Sequence, residues 1–176
     1  MGETAQHISK VNRGELLNIL NVAFSEEWLA YYQYWIGAQV AKGPMRKIIA
    51  EEFIEHANEE LKHAQWLSDR IIQLGGTPVI DPDEWKKRAL CKYEAPTDEY
   101  VETLLRQNLT AERCAVARYQ QICDMCYGKD YDTFRVSAKI LKEELEHEQE
   151  IGDYIDDIEE TKNCLLYTSP SPRDVE

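Results

Sequence analysis

Apolar positions recur at intervals of three and four along four long stretches of the chain, and each stripe carries a charged interruption near its middle. The second stretch places Ile49, Phe53, His56, Glu60, His63, Leu67, Ile71 and Leu74 in one row, a spacing that winds onto one face of an α-helix. The fourth repeats it with Ile140, Glu144, His147, Ile151, Ile155 and Ile158, the first runs through Leu16, Leu20, Ala23, Glu27, Ala30 and Tyr34, and the third through Val101, Leu105, Glu112, Ala115, Tyr119 and Ile122. No alternating apolar run suggests a strand. Pro44, Pro78, Pro82, Pro96 and the Gly75-Gly76 pair all fall between these stretches, where helix breakers belong. The pattern predicts helices over about 12–41, 44–75 and 97–128, and a fourth from a cap at Asp130 or Asp132 to about 160, each roughly 45 Å long. Residues 76–96 read as irregular. Short links make the first and second helices antiparallel, and likewise the third and fourth. The long middle segment can span the bundle and make the second and third parallel. The predicted fold is all-α, a four-helix bundle with one long crossover.

Each helix thus aims one glutamate into the core. Four carboxylates at one level, Glu27, Glu60, Glu112 and Glu144, cannot all stay ionised there without counter-charge, because desolvation and mutual repulsion each cost several kcal/mol. No Lys or Arg occupies the stripes near that level, so bound metal is the economical counter-charge.

An internal repeat sharpens this. EELKHAQWLSDRI from Glu59 aligns without gaps to EELEHEQEIGDYI from Glu143, seven of 13 positions identical. The preceding helices match as Glu27-x-x-Ala30-x-x-x-Tyr34 against Glu112-x-x-Ala115-x-x-x-Tyr119, so the two halves read as copies around a pseudo-two-fold site. One Glu-x-x-His on an acidic helix usually means a solvated surface. Two copies on apolar stripes, each with a lone Glu on a partner helix, make a di-metal carboxylate set of Glu27, Glu60, His63, Glu112, Glu144 and His147. Glu60 and Glu144 are expected to bridge two ions, Glu27 and Glu112 to cap one each, and His63 and His147 to give one nitrogen apiece. Mixed carboxylate and imidazole donors suit iron or manganese and disfavour a thiolate-type zinc site.

Composition narrows the setting. The 176 residues carry 20 Lys+Arg against 33 Asp+Glu, a formal net charge of -13, which repels a phosphate backbone and makes nucleic acid an unexpected partner. No stretch approaches the roughly 20 apolar residues of a membrane span, and the start MGETAQHISK has no apolar signal region, so a cytoplasmic protein without membrane contact is expected. Five cysteines in a reducing compartment are not expected to form a disulfide framework. From Cys164 the chain reads CLLYTSPSPRDVE, which resembles translated transposase-adapter sequence. The expected native domain is therefore 1–163, with 164–176 a foreign tail replacing the true C-terminus.

EEWLAYYQYW, EELKHAQWL, LTAERCAVARYQ and LKEELEHEQE together resemble the ferritin-like superfamily over about Glu15 to Asp157, and most nearly its bacterioferritin-related, Dps-like branch, the thioferritins. The resemblance implies a ferritin-like bundle assembled into a homo-oligomeric cage, commonly a dodecamer. It implies ferroxidase activity, in which two ferrous ions per subunit are oxidised by hydrogen peroxide or oxygen and ferric mineral is stored, protecting against oxidative stress. Iron is then the expected metal, with manganese the alternative. Bacterioferritins place a haem-ligating Met immediately after the bridging Glu of the second helix, and Leu61 stands there, so no haem is expected.

Tyr34 and Tyr119, seven residues beyond the capping glutamates, return to the same faces, either to bond ligands and donate electrons or as ordinary core tyrosines. His56 is either a supporting or third-metal residue or a satisfied core histidine. Glu55 and Glu59, one turn apart, either pass iron inward or, on the preferred reading, form an acidic solvated face, and His7 has no role. Cys114 is about 200° around the helix from Glu112 and is expected to point away from the metals. Cys91 and Cys114 best match the cysteine pair that the resembled branch carries near its metal site, and such a dithiol could reduce or sense peroxide. Cys123-x-x-Cys126 reads as buried thiols. The competing functions are a rubrerythrin-like di-iron peroxidase that stores nothing and a DNA-protecting Dps-type protein.

Overall fold

A computed structural model describes residues 3–93 and 95–167. Its long helices are α2 (Arg13–Val40), α3 (Arg46–Gln73), α5 (Val101–Cys126) and α6 (Tyr131–Tyr167), preceded by a short α1 (Glu3–Ile8) and interrupted in the crossover by a short α4 (Trp85–Arg88). Among the described residues there is no strand, only one isolated bridge between Lys42 and Tyr100.

Local chemistry sets the ends. The Asn12 side chain accepts from the Gly14 and Glu15 N–H groups and caps α2. Across the bundle end, Arg13 Nε donates to the Leu74 carbonyl at 2.8 Å and Nη2 to that of Gly75 at 2.7 Å, satisfying carbonyls that the end of α3 leaves bare. The Asp130 side chain accepts from the Thr133 N–H at 2.9 Å and caps α6, one of the two caps expected.

Three boundaries differ from the pattern. The third long helix starts at Val101, not near Thr97, because 98–100 are already committed elsewhere. The Lys42 N–H donates to the Glu99 carbonyl and the Val101 N–H to the Lys42 carbonyl, docking this segment on the α2–α3 turn, while Asp98 caps the Tyr100 N–H. The crossover is not wholly irregular: Asp81 caps a 3-10 turn over Pro82–Glu84 that leads into α4, and the Trp85 ring stacks on Trp28 of α2 at 5.1 Å. The final helix runs past residue 160 to Tyr167, into the stretch read as foreign, of which residues 168–176 lie outside those described.

The core is split into two apolar layers. One gathers Leu16, Leu20, Leu67, Ile71, Ile122 and Ile140, and the other Ile49, Phe53, Leu104, Leu105, Ile151 and Ile155. The charged interruptions of the stripes fall between them.

Candidate metal centre

Glu27, Glu60, His63, Glu112, Glu144 and His147 are all buried, and the structure brings the six together in this middle layer. His63 Nδ1 lies 3.0 Å from Glu60, 3.3 Å from Glu27 and 3.1 Å from Glu144. His147 Nδ1 lies 3.5 Å from Glu60, 3.7 Å from Glu112 and 3.8 Å from Glu144. Two donor sets result, each within 4.8 Å: Glu27, Glu60, His63 and Glu144, and Glu60, Glu112, Glu144 and His147. Glu60 and Glu144 belong to both.

The layer around these groups obeys the same two-fold relation. His63 Nε2 is 2.8 Å from Glu143, and His147 Nε2 is 2.8 Å from Glu59, so each ring is held by the outer glutamate of the other half. With a carboxylate at Nε2, each ring presents Nδ1 inward, the orientation that carboxylate–histidine pairs impose at metal sites. The Tyr34 hydroxyl donates to Glu112 and the Tyr119 hydroxyl to Glu27, again crossing between halves. Glu59 is therefore a histidine partner, correcting its expected place on a solvated face. Its twin Glu143 was missed outright, although both precede the inward Glu by one residue in the repeat.

The electrostatics are those of crowded acids. Burial and the Glu60 charge push Glu27 up to about 8, and burial followed by Glu60 lifts Glu144 well above the carboxylate range. Burial alone would raise Glu60 too, but the facing His147 and His63 imidazoles hold it far below. Burial disfavours charge on both imidazoles, yet His63 is raised by Glu143 and Glu144, and His147 is raised to about 12 by Glu112 and Glu60. Burial first, and then the Glu112 and Glu27 charges, raise Tyr34 and Tyr119. A set this crowded needs positive counter-charge.

Divalent ions fit the same role. Glu27 Oε2, Glu60 Oε1, Glu112 Oε2, both Glu144 oxygens and His147 Nδ1 are buried without hydrogen-bond partners, and such orphans are rare in folded proteins. Mixed carboxylate oxygen and imidazole nitrogen donors of this kind suit iron.

His56 lies beside the centre, stacked on His147 at 4.1 Å. Its Nε2 is 3.0 Å from Glu150 and 3.5 Å from Glu52. Glu55 is exposed and Cys123 and Cys126 are buried, as expected.

Cys91 and Cys114 form a disulfide, with Cα atoms 5.6 Å apart, so the structure joins the two cysteines that the resemblance had paired. The crossover delivers Cys91 to Cys114 on α5, and α4 anchors that delivery. Glu26, which sequence reasoning passed over, is buried and accepts from the Leu90 and Cys91 N–H groups at 2.7 and 2.9 Å and from Arg118 at 2.9 Å. Its one signal was position: Glu26 and Arg118 immediately precede the inward Glu27 and Tyr119. A cavity of about 30 Å³, lined by Glu27, Glu60, Glu112, Glu144 and Cys91 among others, has room for one or two waters.

A bundle of this connectivity with twin Glu/His sets defines the class, and the sequence model of the ferritin-like domain matches residues 17–161. The chain belongs to the ferritin-like family. A dodecameric thioferritin, the bacterioferritin-related protein of Bacteroides fragilis, is 51% identical with a TM-score of 0.88, over 89% of this chain and 94% of that one. The DNA protection during starvation protein of Pyrococcus furiosus is 38% identical over 136 residues, 76% of this chain and 73% of its own length. Dps from Thermosynechococcus elongatus, at 16% identity, TM-score 0.78 and coverage of 87% and 95%, shares the fold alone. Among the described residues, no helix is long and apolar enough to cross a membrane.

Proposed function

We propose that this chain is a ferroxidase that binds ferrous iron as substrate at the six-residue centre, oxidises it with hydrogen peroxide or oxygen, and retains the ferric product inside a homo-oligomeric cage, a dodecamer as in the Bacteroides fragilis relative. The observation that carries this reading is the pair of donor sets sharing Glu60 and Glu144. With peroxide the balance is two ferrous ions, one peroxide and two protons giving two ferric ions and two waters, so a centre for two ions supplies both electrons.

The roles of the residues follow from the geometry. Glu60 and Glu144, common to both donor sets, would each serve both ions, and four carboxylates would balance two divalent ions. Tyr119 and Tyr34 fix the Glu27 and Glu112 carboxylates through one oxygen each, leaving the other turned inward. Glu143 and Glu59 hold the His63 and His147 rings, and the apolar layers on either side exclude bulk water.

The test is iron retention. Purified, sized protein receives excess ferrous iron and peroxide, and the iron kept per chain is measured after desalting. Retention far above the roughly two ions of one di-metal centre is expected. Retention near two with continued peroxide consumption would instead mean a rubrerythrin-like peroxidase that stores nothing.

A further inference from the structure

The two halves of the repeat are alike at the metal-facing residues and unlike one position away from them. Glu27 and Tyr34 of α2 correspond to Glu112 and Tyr119 of α5, so the positions just before them match Glu26 with Ala111 and Gln33 with Arg118. The structure joins the two charged members of these mismatches across the bundle. Arg118 Nε donates to one Glu26 oxygen at 2.9 Å and Nη2 to the other at 3.3 Å, and both residues are buried. In the other half, Gln33 donates to Asn108 at 2.8 Å, an amide pair without charge.

The ion pair stands next to a hydrogen bond of the centre. Glu26 and Glu27 are consecutive on α2, Arg118 and Tyr119 are consecutive on α5, and the Tyr119 hydroxyl donates to Glu27. Consecutive helical residues point about 100° apart, so Glu27 and Tyr119 meet beside the donor sets while Glu26 and Arg118 meet under the crossover. Because α2 packs chiefly on α3 and α5 on α6, the seam between α2 and α5 is sparsely knit, and its register rests on a few polar contacts. A two-pronged guanidinium–carboxylate pair fixes distance and angle together. Both partners are held in turn: the Leu90 and Cys91 N–H groups donate to the Glu26 oxygen that also faces Nη2, and Arg118 Nη1 donates to Gln121 at 2.7 Å.

From this asymmetry we propose that Glu26 and Arg118 are a positioning pair for one of the two ions. They set the register at which Tyr119 reaches one oxygen of Glu27, and so hold its other oxygen, buried and without a hydrogen-bond partner, ready for the ion of the Glu27 and His63 set. At the Glu112 and His147 set the corresponding positions are Ala111 and Gln33, which cannot form an ion pair. The inference rests on the reading above that the centre binds two metal ions, and adds a difference between them.

The experiment titrates the intact assembly with cobalt(II) without oxygen, follows the visible absorption and resolves the two ions per chain. In E26Q a side-chain oxygen still receives the crossover N–H groups, but an amide NH2 faces Arg118 and the two-pronged bond is lost. This change is expected to weaken one ion by about 10–100-fold, the scale for removing a supporting partner of a ligand, and to leave the other within error of wild type. A double-mutant cycle assigns that ion. On a Y119F background, where the bond to Glu27 is already gone, E26Q is expected to add nothing. On Y34F, which breaks the bond to Glu112 instead, it is expected to act in full. Equal weakening of both ions, an E26Q effect undiminished by Y119F, or no effect at all would overturn the positioning pair and leave the centre standing. Wild-type cobalt absorption no greater than that of E60A would overturn the centre itself, and the inference with it. R118K keeps the charge and gives up the fork, so the same selective loss is expected from it, and it carries the test if E26Q fails to assemble.

Discussion

At the scale of single residues, a carboxylate facing the centre and a carboxylate behind a histidine should fail differently when altered. Glu60 is shared by both donor sets. Replacing it with Ala should abolish fast ferrous oxidation while leaving the bundle folded, because the change also removes a buried acid from a repulsive cluster. Stopped-flow oxidation beside a thermal melt checks both halves, and unchanged oxidation would remove Glu60 from its bridging role. Glu59→Gln leaves the donor count intact and disturbs only the hold on His147. Removing such a supporting carboxylate should weaken cobalt(II) affinity by about 10–100-fold, read by spectroscopic titration. An affinity within error of wild type would mean that the Glu59 contact does not orient the ring.

Among helices and their connections, the heaviest dependence falls on the turn between α5 and α6. Arg70 of α3 is buried, and its guanidinium donates to both Asp130 oxygens at 2.8 and 2.9 Å while Asp130 caps α6. Asp130→Ala leaves buried Arg70 with Asp132 at 3.3 Å as its remaining acidic partner and uncaps a helix, and should cost about 3–5 kcal/mol in denaturant unfolding. The pH sign follows from the aspartate. Burial would raise it, but the Thr133 N–H, Ser9 and Arg70 together hold it below the ordinary 3.8. Its stabilisation is therefore present above the unfolded value and is lost as pH falls through the lower folded one. The gap between wild type and D130A should be full at pH 6 and shrink only in acid below about pH 4; a gap that closed near neutrality would contradict this assignment. The α2–α3 turn makes a second case. Gly43 has φ +105°, and a Cβ there would meet the Tyr100 ring at 2.6 Å. Gly43→Ala should cost about 1–3 kcal/mol and loosen the start of α5, which a melt and amide exchange at Val101 would report.

These same elements show what could be read from the chain and what could not. The four long helices and the inward residues were legible because one helix face repeats every three or four positions, and the repeat presents each Glu-x-x-His twice. Contacts that close over long sequence distances were not. Arg70 meets Asp130 across 60 positions and Glu26 meets Arg118 across 92, and neither pair has a periodic signature. The start of α5 was misplaced for the same reason, since the Lys42–Glu99 hydrogen bond that delays it joins two loops. The α4 turn was missed although Asp81-Pro82 is a local start signal, because its one-turn helix is too short to show a stripe. The Cys91–Cys114 bond depends on where the crossover lies, which helix periodicity leaves open.

For the molecule as a whole, charge discriminates among relatives with similar folds. The relative from Pyrococcus furiosus is named for DNA protection, yet this chain carries a formal net charge of -13. A multimer of such chains multiplies that charge, whereas affinity for a phosphate backbone comes chiefly from cations that release counterions. The N-terminal arm offers little to offset it: Lys10 and Arg13 are its cations, and the Arg13 guanidinium is spent on the carbonyls of Leu74 and Gly75. The sized assembly should therefore leave duplex DNA unshifted in a gel from low to physiological salt, while still retaining iron. Retardation that weakened steeply with added salt would mean that assembly builds a basic surface absent from the single chain, and protection by co-assembly with DNA would then join iron oxidation as a function of this protein. Retardation indifferent to salt would not carry that meaning, because phosphate recognition by lysine and arginine cannot be independent of ionic strength.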